Sequence, residues 1–357
     1  MTACIVGWAH TPFGKLTNET VESLIVRVAV DALADAGIGP KDVDEIVLGH
    51  FNAGFSAQDF TAALVLQASP ELRFKRATRV ENACATGSAA VHQGIRTIEA
   101  RAARVVLVVG VEQMTTTPAP EIGRNLLKAS YVREEADIDG GFAGIFGKIA
   151  GLYFQKWGNQ SDALAMIAAK NHKNGVGNPY AQMRKDLGYD FCRTESEKNP
   201  FVAGPLKRTD CSLVSDGAAA VVLVSEKMLK QYNLTPLARF VGFAVAGVAP
   251  EIMGIGPIAA IPKVLAQTGV KQDDLDWIEL NEAFAAQALA VTKELGLNPE
   301  RINPLGGAIA LGHPLGATGA IRTATLVHGL KRTGGRYGMV SMCIGTGMGA
   351  AGVFEVL

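Results

Sequence analysis

Neither sign of charge is in excess in this 357-residue chain, where 34 basic residues balance 34 acidic ones. Without a broad positive field, nucleic acid is excluded as the main partner. A local basic patch could still grip one phosphorylated ligand. No apolar run reaches about 18 residues, so no helical membrane span is expected. Cysteine is scarce: five residues, an odd number, with no C-x-x-C pair. No secretory signal pattern opens the chain. Free thiols and a cytoplasmic protein are therefore expected.

What the chain does have is enough apolar material for two domains or more, at 48% hydrophobic residues. Forty glycines imply tight turns and close backbone approaches. Strand-like runs at 4–7, 44–49, 104–110 and 218–225 alternate with helical patterns at 21–36 and 88–100. This rhythm predicts an α/β fold with a mainly parallel sheet. It then returns as strand 237–245, helix 258–267, strand 277–280, helix 317–330 and strands 337–342 and 350–356. Sequence returns with it. Cys84-Ala85-Thr86-Gly87 and Gly316-Ala317-Thr318-Gly319 stand 232 residues apart (84 to 316). The same spacing maps Gly37 onto Gly269, Asp44 onto Asp276, Ile46 onto Ile278, Leu48 onto Leu280 and Arg104 onto Arg336. A constant offset across separate segments marks a duplicated fold. The expected organisation is a first half of residues 1–117 plus 206–232, an inserted loop domain of 118–205, and a second half of 233–357. One good helix, 162–172, capped by Ser161, is expected in the insert. Such loops often contact ligand.

The copies differ where chemistry belongs. Cys84 opens a helix in a small-residue stretch, where the helix dipole would stabilise a thiolate. The second copy has Gly312-His313-Pro314 near the matching place, a rigid mount for an imidazole. Thiol and imidazole from different halves suggest a split active site. Cys343 leads into the glycine turn Gly345-Thr346-Gly347, whose N–H groups could meet an oxyanion. Asn281-Glu282-Ala283-Phe284 follows a strand, at the edge where open α/β sheets place ligands. Taken alone, Cys84 could be an inert buried cysteine and His313 a turn cap. Gly347-Met348-Gly349-Ala350-Ala351-Gly352 fits G-x-G-x-x-G, but it stands too near the end for a βαβ unit and is no dinucleotide site.

In this order, the Cys84, Asn281–Phe284, Gly306–Pro314 and Cys343–Gly349 segments resemble the thiolase family. Met253-Gly254-Ile255-Gly256-Pro257 and Ser212-Leu213-Val214-Ser215-Asp216-Gly217-Ala218 look like thiolase signatures too. The resemblance implies two duplicated βαβαβαββ halves forming a five-layered α-β-α-β-α core with an inserted loop domain. It implies a CoA-dependent acyltransferase that cleaves 3-oxoacyl-CoA with CoA or runs the reverse Claisen condensation. Cys84 would be acylated, His313 would activate it, and Cys343 would exchange a proton at carbon. Asn281 would position a water that, with His313, binds one thioester oxygen. The N–H groups of Cys84 and Gly345 would hold the other. Ser212 would touch the pantetheine arm, and Phe284, Met253, Ile145 and Phe146 would contact substrate. Acyl-CoA and CoA are the implied partners, with coenzyme A as substrate, no permanently bound cofactor, no metal, and a homodimer or homotetramer.

The insert is short, and Asn171-His172-Lys173-Asn174 and Asn178-Pro179-Tyr180 look like sterol-carrier-protein-type thiolases. That branch, however, has H-D-C-F in place of Asn281–Phe284. The substrate loop reads Gly144-Ile145-Phe146-Gly147, where short-chain thiolases often carry histidine and methionine at the middle two positions. A preference for acetoacetyl-CoA is therefore not implied. His10, His50, His92, His172 and His328 read as structural or exposed, and Cys4, Cys192 and Cys211 as packing residues. Glu282 reads as an acid or base or, the favoured reading, as a group that orients its neighbours. A free thiol titrates near pKa 8.5, which would suit Cys343 for proton exchange. The rivals are a ketoacyl synthase-like condensing enzyme and a thiolase-like protein that binds acyl-CoA without chemistry.

Overall fold

The computed structural model describes residues 2–357. The chain opens with β1 (Ala3–His10), α1 (Val21–Ala36), β2 (Glu45–Gly49), β3 (Arg76–Val80), α2 (Thr86–Glu99) and β4 (Val105–Glu112). An excursion follows, with α3 (Ala119–Leu127), α4 (Val132–Glu135), α5 (Gly141–Trp157), α6 (Ser161–Gly175), α7 (Gly188–Arg193), β5 (Phe201–Ala203) and β6 (Leu206–Lys207). The chain returns as β7 (Gly217–Ser225) and α8 (Glu226–Gln231). It then runs through β8 (Ala238–Gly247), α9 (Gly256–Thr268), β9 (Leu275–Leu280), α10 (Ala285–Leu295), α11 (Ala308–Leu311), α12 (Leu315–Thr333), β10 (Tyr337–Ile344) and β11 (Met348–Glu355).

The main strands pair in the order β3-β2-β4-β7-β1-β8-β11-β10-β9. This is one sheet design used twice, joined where β1 meets β8 at Cys4–Arg239 and Ile5–Ala238. In the first half β7 runs antiparallel to β1 and β4, and β2 is parallel to β4 and β3. In the second, β11 runs antiparallel to β8 and β10, and β10 is parallel to β9. The outermost strand of the second half shrinks to one parallel bridge, Ile278–Ile302. The sheet is therefore mixed, not mainly parallel as expected. The reason is that each half ends in a strand that returns antiparallel, through the turn at 345–347 in one case and after the excursion in the other.

Helix α1 covers one outer face, α9 the other, and α2 and α12 pack together between the sheets. The layers run α-β-α-β-α. Strands β4 and β7 are buried along their whole length, as covering on both faces demands. The central helices cross at small residues. A Cβ on Gly87 would stand 2.8 Å from the Ala320 nitrogen, and one on Gly319 would overlap the Ser88 nitrogen. Close crossing brings the starts of both helices together.

The insert is more helical than its sequence suggests. Beside α6 it holds α5, whose Gly144, Gly147 and Gly151 are poor helix formers. Packing decides there: a Cβ on Gly147 would stand 2.8 Å from the Ala203 backbone. Ile145 and Phe146 thus ride on a helix, not a loop. Ser161 is the first residue of α6 rather than its cap; its N–H donates to Asn159 Oδ1 at 2.9 Å. Among the described residues, no helix is long and apolar enough to cross a membrane, and no side-chain group could hold a metal.

Candidate active site

Cys84 sits on a single helical turn, Ala83–Ala85, just ahead of α2. Ala83 has φ 45°, a left-handed conformation that costs a residue with a Cβ. Thr86 holds this elbow: its Oγ1 accepts from the Asn82 N–H (2.8 Å) and donates to the Ala83 carbonyl (2.7 Å). The Glu81 carboxylate accepts the Ala83 N–H. The helix start is where the sequence predicts it, but Cys84 is only 3% exposed. Burial, reinforced by the nearby Cys343, pushes its thiol well above the ordinary range. The expected stabilised thiolate is thus corrected to a neutral thiol, because burial disfavours the charged form.

His313 lies between α11 and α12, buried. Thr318 Oγ1 donates to the Pro314 carbonyl at 2.9 Å, so it accepts from His313 Nδ1 at 2.7 Å. That assigns the imidazole proton to Nδ1 and makes Nε2 the unprotonated, accepting nitrogen. Asn281 Nδ2 lies 3.4 Å from Nε2. Burial, helped by the Arg322 charge, lowers His313 to about 3. The imidazole is neutral at working pH.

Cys343 ends β10, 2% exposed, and burial pushes its thiol up to about 12. The expected near-neutral acidity of Cys343 is likewise corrected by desolvation. Both β10 and α12 pack on the Cys84 turn. Asn281 follows β9, its N–H bound to the Ser341 carbonyl at 2.9 Å, and its buried Oδ1 has no partner in the protein. The N–H groups of Cys84 and Gly345 find no backbone acceptor among the described residues. Gly345 must be glycine, since a Cβ would overlap the Ala129 carbonyl of the insert.

Ile145, Phe146, Met253, Phe284 and Cys343 share one buried cluster. The Phe146 and Phe284 rings stack at 4.2 Å between centroids. Ser212, half-buried, is fixed beside them through its N–H on the Ala283 carbonyl (3.0 Å). Glu282 Oε1 accepts from Asn171 and Asn303, while Asn171 Oδ1 accepts the Gly307 N–H at 2.7 Å. This network ties α6 to the loop that carries His313. Thr318, Asn303 and Arg322 were given no role from sequence, and Asn171 only a place in the segment 171–174. Thr318 also left a signal there, as the repeat partner of Thr86.

Comparison with known proteins identifies the family. The thiolase N-terminal domain matches residues 3–227 and the thiolase C-terminal domain residues 234–356. A mitochondrial 3-ketoacyl-CoA thiolase from Bos taurus is 34% identical, covering 98% of this chain and 97% of the relative. A 3-ketoacyl-CoA thiolase from Bacillus subtilis (strain 168) is 32% identical, covering 99% of both. The crystal structure of human mitochondrial 3-ketoacyl-CoA thiolase in complex with CoA aligns with a TM-score of 0.86 at 29% identity, over 100% of this chain and 98% of that one. The chain belongs to the thiolase family. It is an enzyme, a CoA acyltransferase of thiolase type. The cytoplasmic expectation is corrected: the Bos taurus relative is named mitochondrial, so free thiols in this family do not single out the cytosol.

Proposed function

We propose that the chain catalyses reversible thiolysis of 3-oxoacyl-CoA through an acyl-enzyme on Cys84. The observation that carries this is the neutral, Thr318-clamped His313, its unprotonated Nε2 facing Asn281, just ahead of the helix α12 that packs with β10 on the Cys84 turn. Substrate binding brings the 3-oxo carbon to Cys84. The sulfur attacks that carbon as its proton passes to His313 Nε2. The C2–C3 bond then breaks, and its electron pair becomes the enolate of the departing thioester. Cys343 gives its proton to C2, and acetyl-CoA leaves. An incoming CoA thiol gives its proton to the Cys343 thiolate and attacks the acyl group. The shortened acyl-CoA departs, and the proton on His313 returns to Cys84. The Cys84 thiol is so strongly disfavoured as a free anion that its proton transfer must accompany the attack.

The Cys84 and Gly345 N–H groups suit one oxyanion. Asn281, through a water, and His313 suit the other. Ser212 would meet the pantetheine arm, and Phe284, Met253, Ile145 and Phe146 the acyl end. CoA enters as substrate, with no permanently bound cofactor. The division into 1–117 plus 206–232, 118–205 and 233–357 follows from the repeat. A homodimer is favoured, because β3 is an edge strand flanked by Phe74, 93% exposed. Light scattering that gives only monomer at micromolar concentration would remove the dimer.

The reaction is tested by incubating the enzyme with 3-oxoacyl-CoA and CoA and following both products by mass spectrometry. Acetyl-CoA and a chain shortened by two carbons are expected. Binding without turnover would favour a non-catalytic acyl-CoA-binding protein. A ketoacyl synthase-like reading is disfavoured, because those enzymes lack the second cysteine, here Cys343.

A further inference from the structure

A cavity of about 610 Å³ lies between α5, α10 and the segment 252–258. Its size falls within the usual range for small-molecule sites, about 300–1,000 Å³. Ile149, Ala150, Ile255, Ile258 and Ala290 make its walls mainly apolar. The exposed Lys156, Lys293 and Glu294 stand at its rim. Phe146 lines it too, and this ring stacks on Phe284 in the cluster that contains Cys343. The Phe146–Phe284 stack therefore links the cavity to the cluster that holds Cys343. Gly254 gives the ring its room, since a Cβ there would lie 2.9 Å from Phe146 Cε1. Gln287, 3% exposed, lines the same wall, and neither its amide nitrogen nor its oxygen has a partner in the protein. A buried amide needs partners, so something other than protein completes this wall.

We propose that the cavity receives the alkyl tail of the substrate, a medium-length chain, with Phe146 turning off Phe284 to admit it. This rests on the thiolysis reading given above. Apolar walls favour each methylene that leaves water. The tail is tethered to carbons that react at that cluster, so no diffusing ligand is better placed to enter.

The test uses Cys84→Ala protein, which binds without turnover, and calorimetry with acetyl-CoA and decanoyl-CoA. Decanoyl-CoA is expected to bind at least tenfold tighter. Adding Ala290→Phe, on the wall away from the reacting groups, should cut that advantage below threefold and leave acetyl-CoA affinity unchanged. Ile258→Trp, on α9, serves if Ala290→Phe does not fold. Equal affinity for the two ligands, or an advantage that survives both substitutions, overturns the assignment. Wild-type thiolysis separates the two readings. A tail-dependent affinity with no thiolysis of any chain length sinks the reaction alone. Equal kcat/KM for acetoacetyl-CoA and 3-oxodecanoyl-CoA sinks the cavity alone.

Discussion

The two halves share their scaffold residues and divide their chemistry. Gly37 and Gly269 close α1 and α9 in the left-handed conformation, at φ 64° and 71°. Asp44 accepts the N–H groups of Arg104 and Val105, and Asp276 those of Arg336 and Tyr337. The reactive positions have no such symmetry. At the same spacing, Cys84 faces Gly316, Cys343 faces Val111, His313 faces Glu81 and Asn281 faces Gly49. The two threonines show how one part serves two tasks. Thr86 Oγ1 is occupied by the Asn82 N–H. The counterpart of Asn82 is Pro314, which has no N–H. Thr318 Oγ1 is therefore free for His313 Nδ1. Gly316 has no room for a thiol, because the Val111 carbonyl and the Glu112 carboxylate, which takes its N–H at 3.0 Å, fill that spot. Duplication put two helix starts in one layer, and divergence put a thiol at one and an imidazole beside the other.

The strongest way to break this picture is to remove the thiols one at a time. Cys84→Ala should form no acyl-enzyme and lose thiolysis by at least about 10⁴-fold. Cys343→Ala should still gain acyl mass from acyl-CoA, read on the intact protein, yet fail at the carbon–carbon step by orders of magnitude. Full thiolysis by Cys343→Ala would mean that His313 or a water moves the second proton.

A smaller effect is expected at the clamp. Thr318→Val should lower the acylation rate by roughly 10- to 100-fold, since Nδ1 loses the partner that fixes the tautomer. Thr318→Ser should restore most of it. A merely structural role would lower Tm and leave the acylation rate of the folded fraction unchanged.

Much of this was legible in the sequence, and the reasons are physical. Helix α1 shows at residues 21–36 because its apolar spacing and its αL glycine cap are both local. The repeat shows because turn and cap residues answer to backbone geometry, which both halves share. The cysteine, histidine and asparagine segments stand out because they sit among small or rigid neighbours. Three things stayed hidden. The helicity of α5 depends on Gly147 meeting Ala203, a contact made 56 residues away. The antiparallel returns of β7 and β11 depend on sheet order, which alternation does not encode. The thiol acidities depend on burial, so a reading based on the helix start alone took the wrong direction.

Acid should expose the same burial. His10, His92 and His172 are lowered to about 4 and His313 to about 3, in each case chiefly by burial. Unfolded histidines take up protons near 6.5. Between about pH 6.5 and 4 the unfolded chain therefore binds more protons, and stability falls as pH falls. Burial raises Glu279 and Glu282 instead, which gives the opposite slope. The clean readout is thus a difference. His313→Asn should lose less Tm than wild type between pH 7 and 5. Parallel curves would show that His313 protonates as freely in the folded enzyme as in the unfolded chain.

The smallest expected effect compares the repeated aspartates. Asp44→Ala and Asp276→Ala each strip an acceptor from two backbone N–H groups. Those bonds are 2.7 and 3.1 Å at Asp44, and 2.7 and 3.3 Å at Asp276. Each substitution should cost about 1–2 kcal/mol. Asp44 also holds the Arg104 guanidinium, at 3.1 and 2.9 Å. Arg336, its counterpart, turns to Glu355 instead. Burial works to raise Asp44, but the hydrogen bonds from Arg104 outweigh it and hold the carboxyl below its ordinary value. The exposed pair is worth only about 0.2–1 kcal/mol, and salt screens it. In urea unfolding Asp44→Ala should therefore be the costlier change, by less than about 1 kcal/mol. That gap should narrow between 0.05 and 0.5 M NaCl, conditions chosen to span about 14 to 4 Å of screening length. A gap that is unchanged by salt, or reversed, would assign the difference to packing around Arg104, and the two aspartates would no longer count as one device used twice.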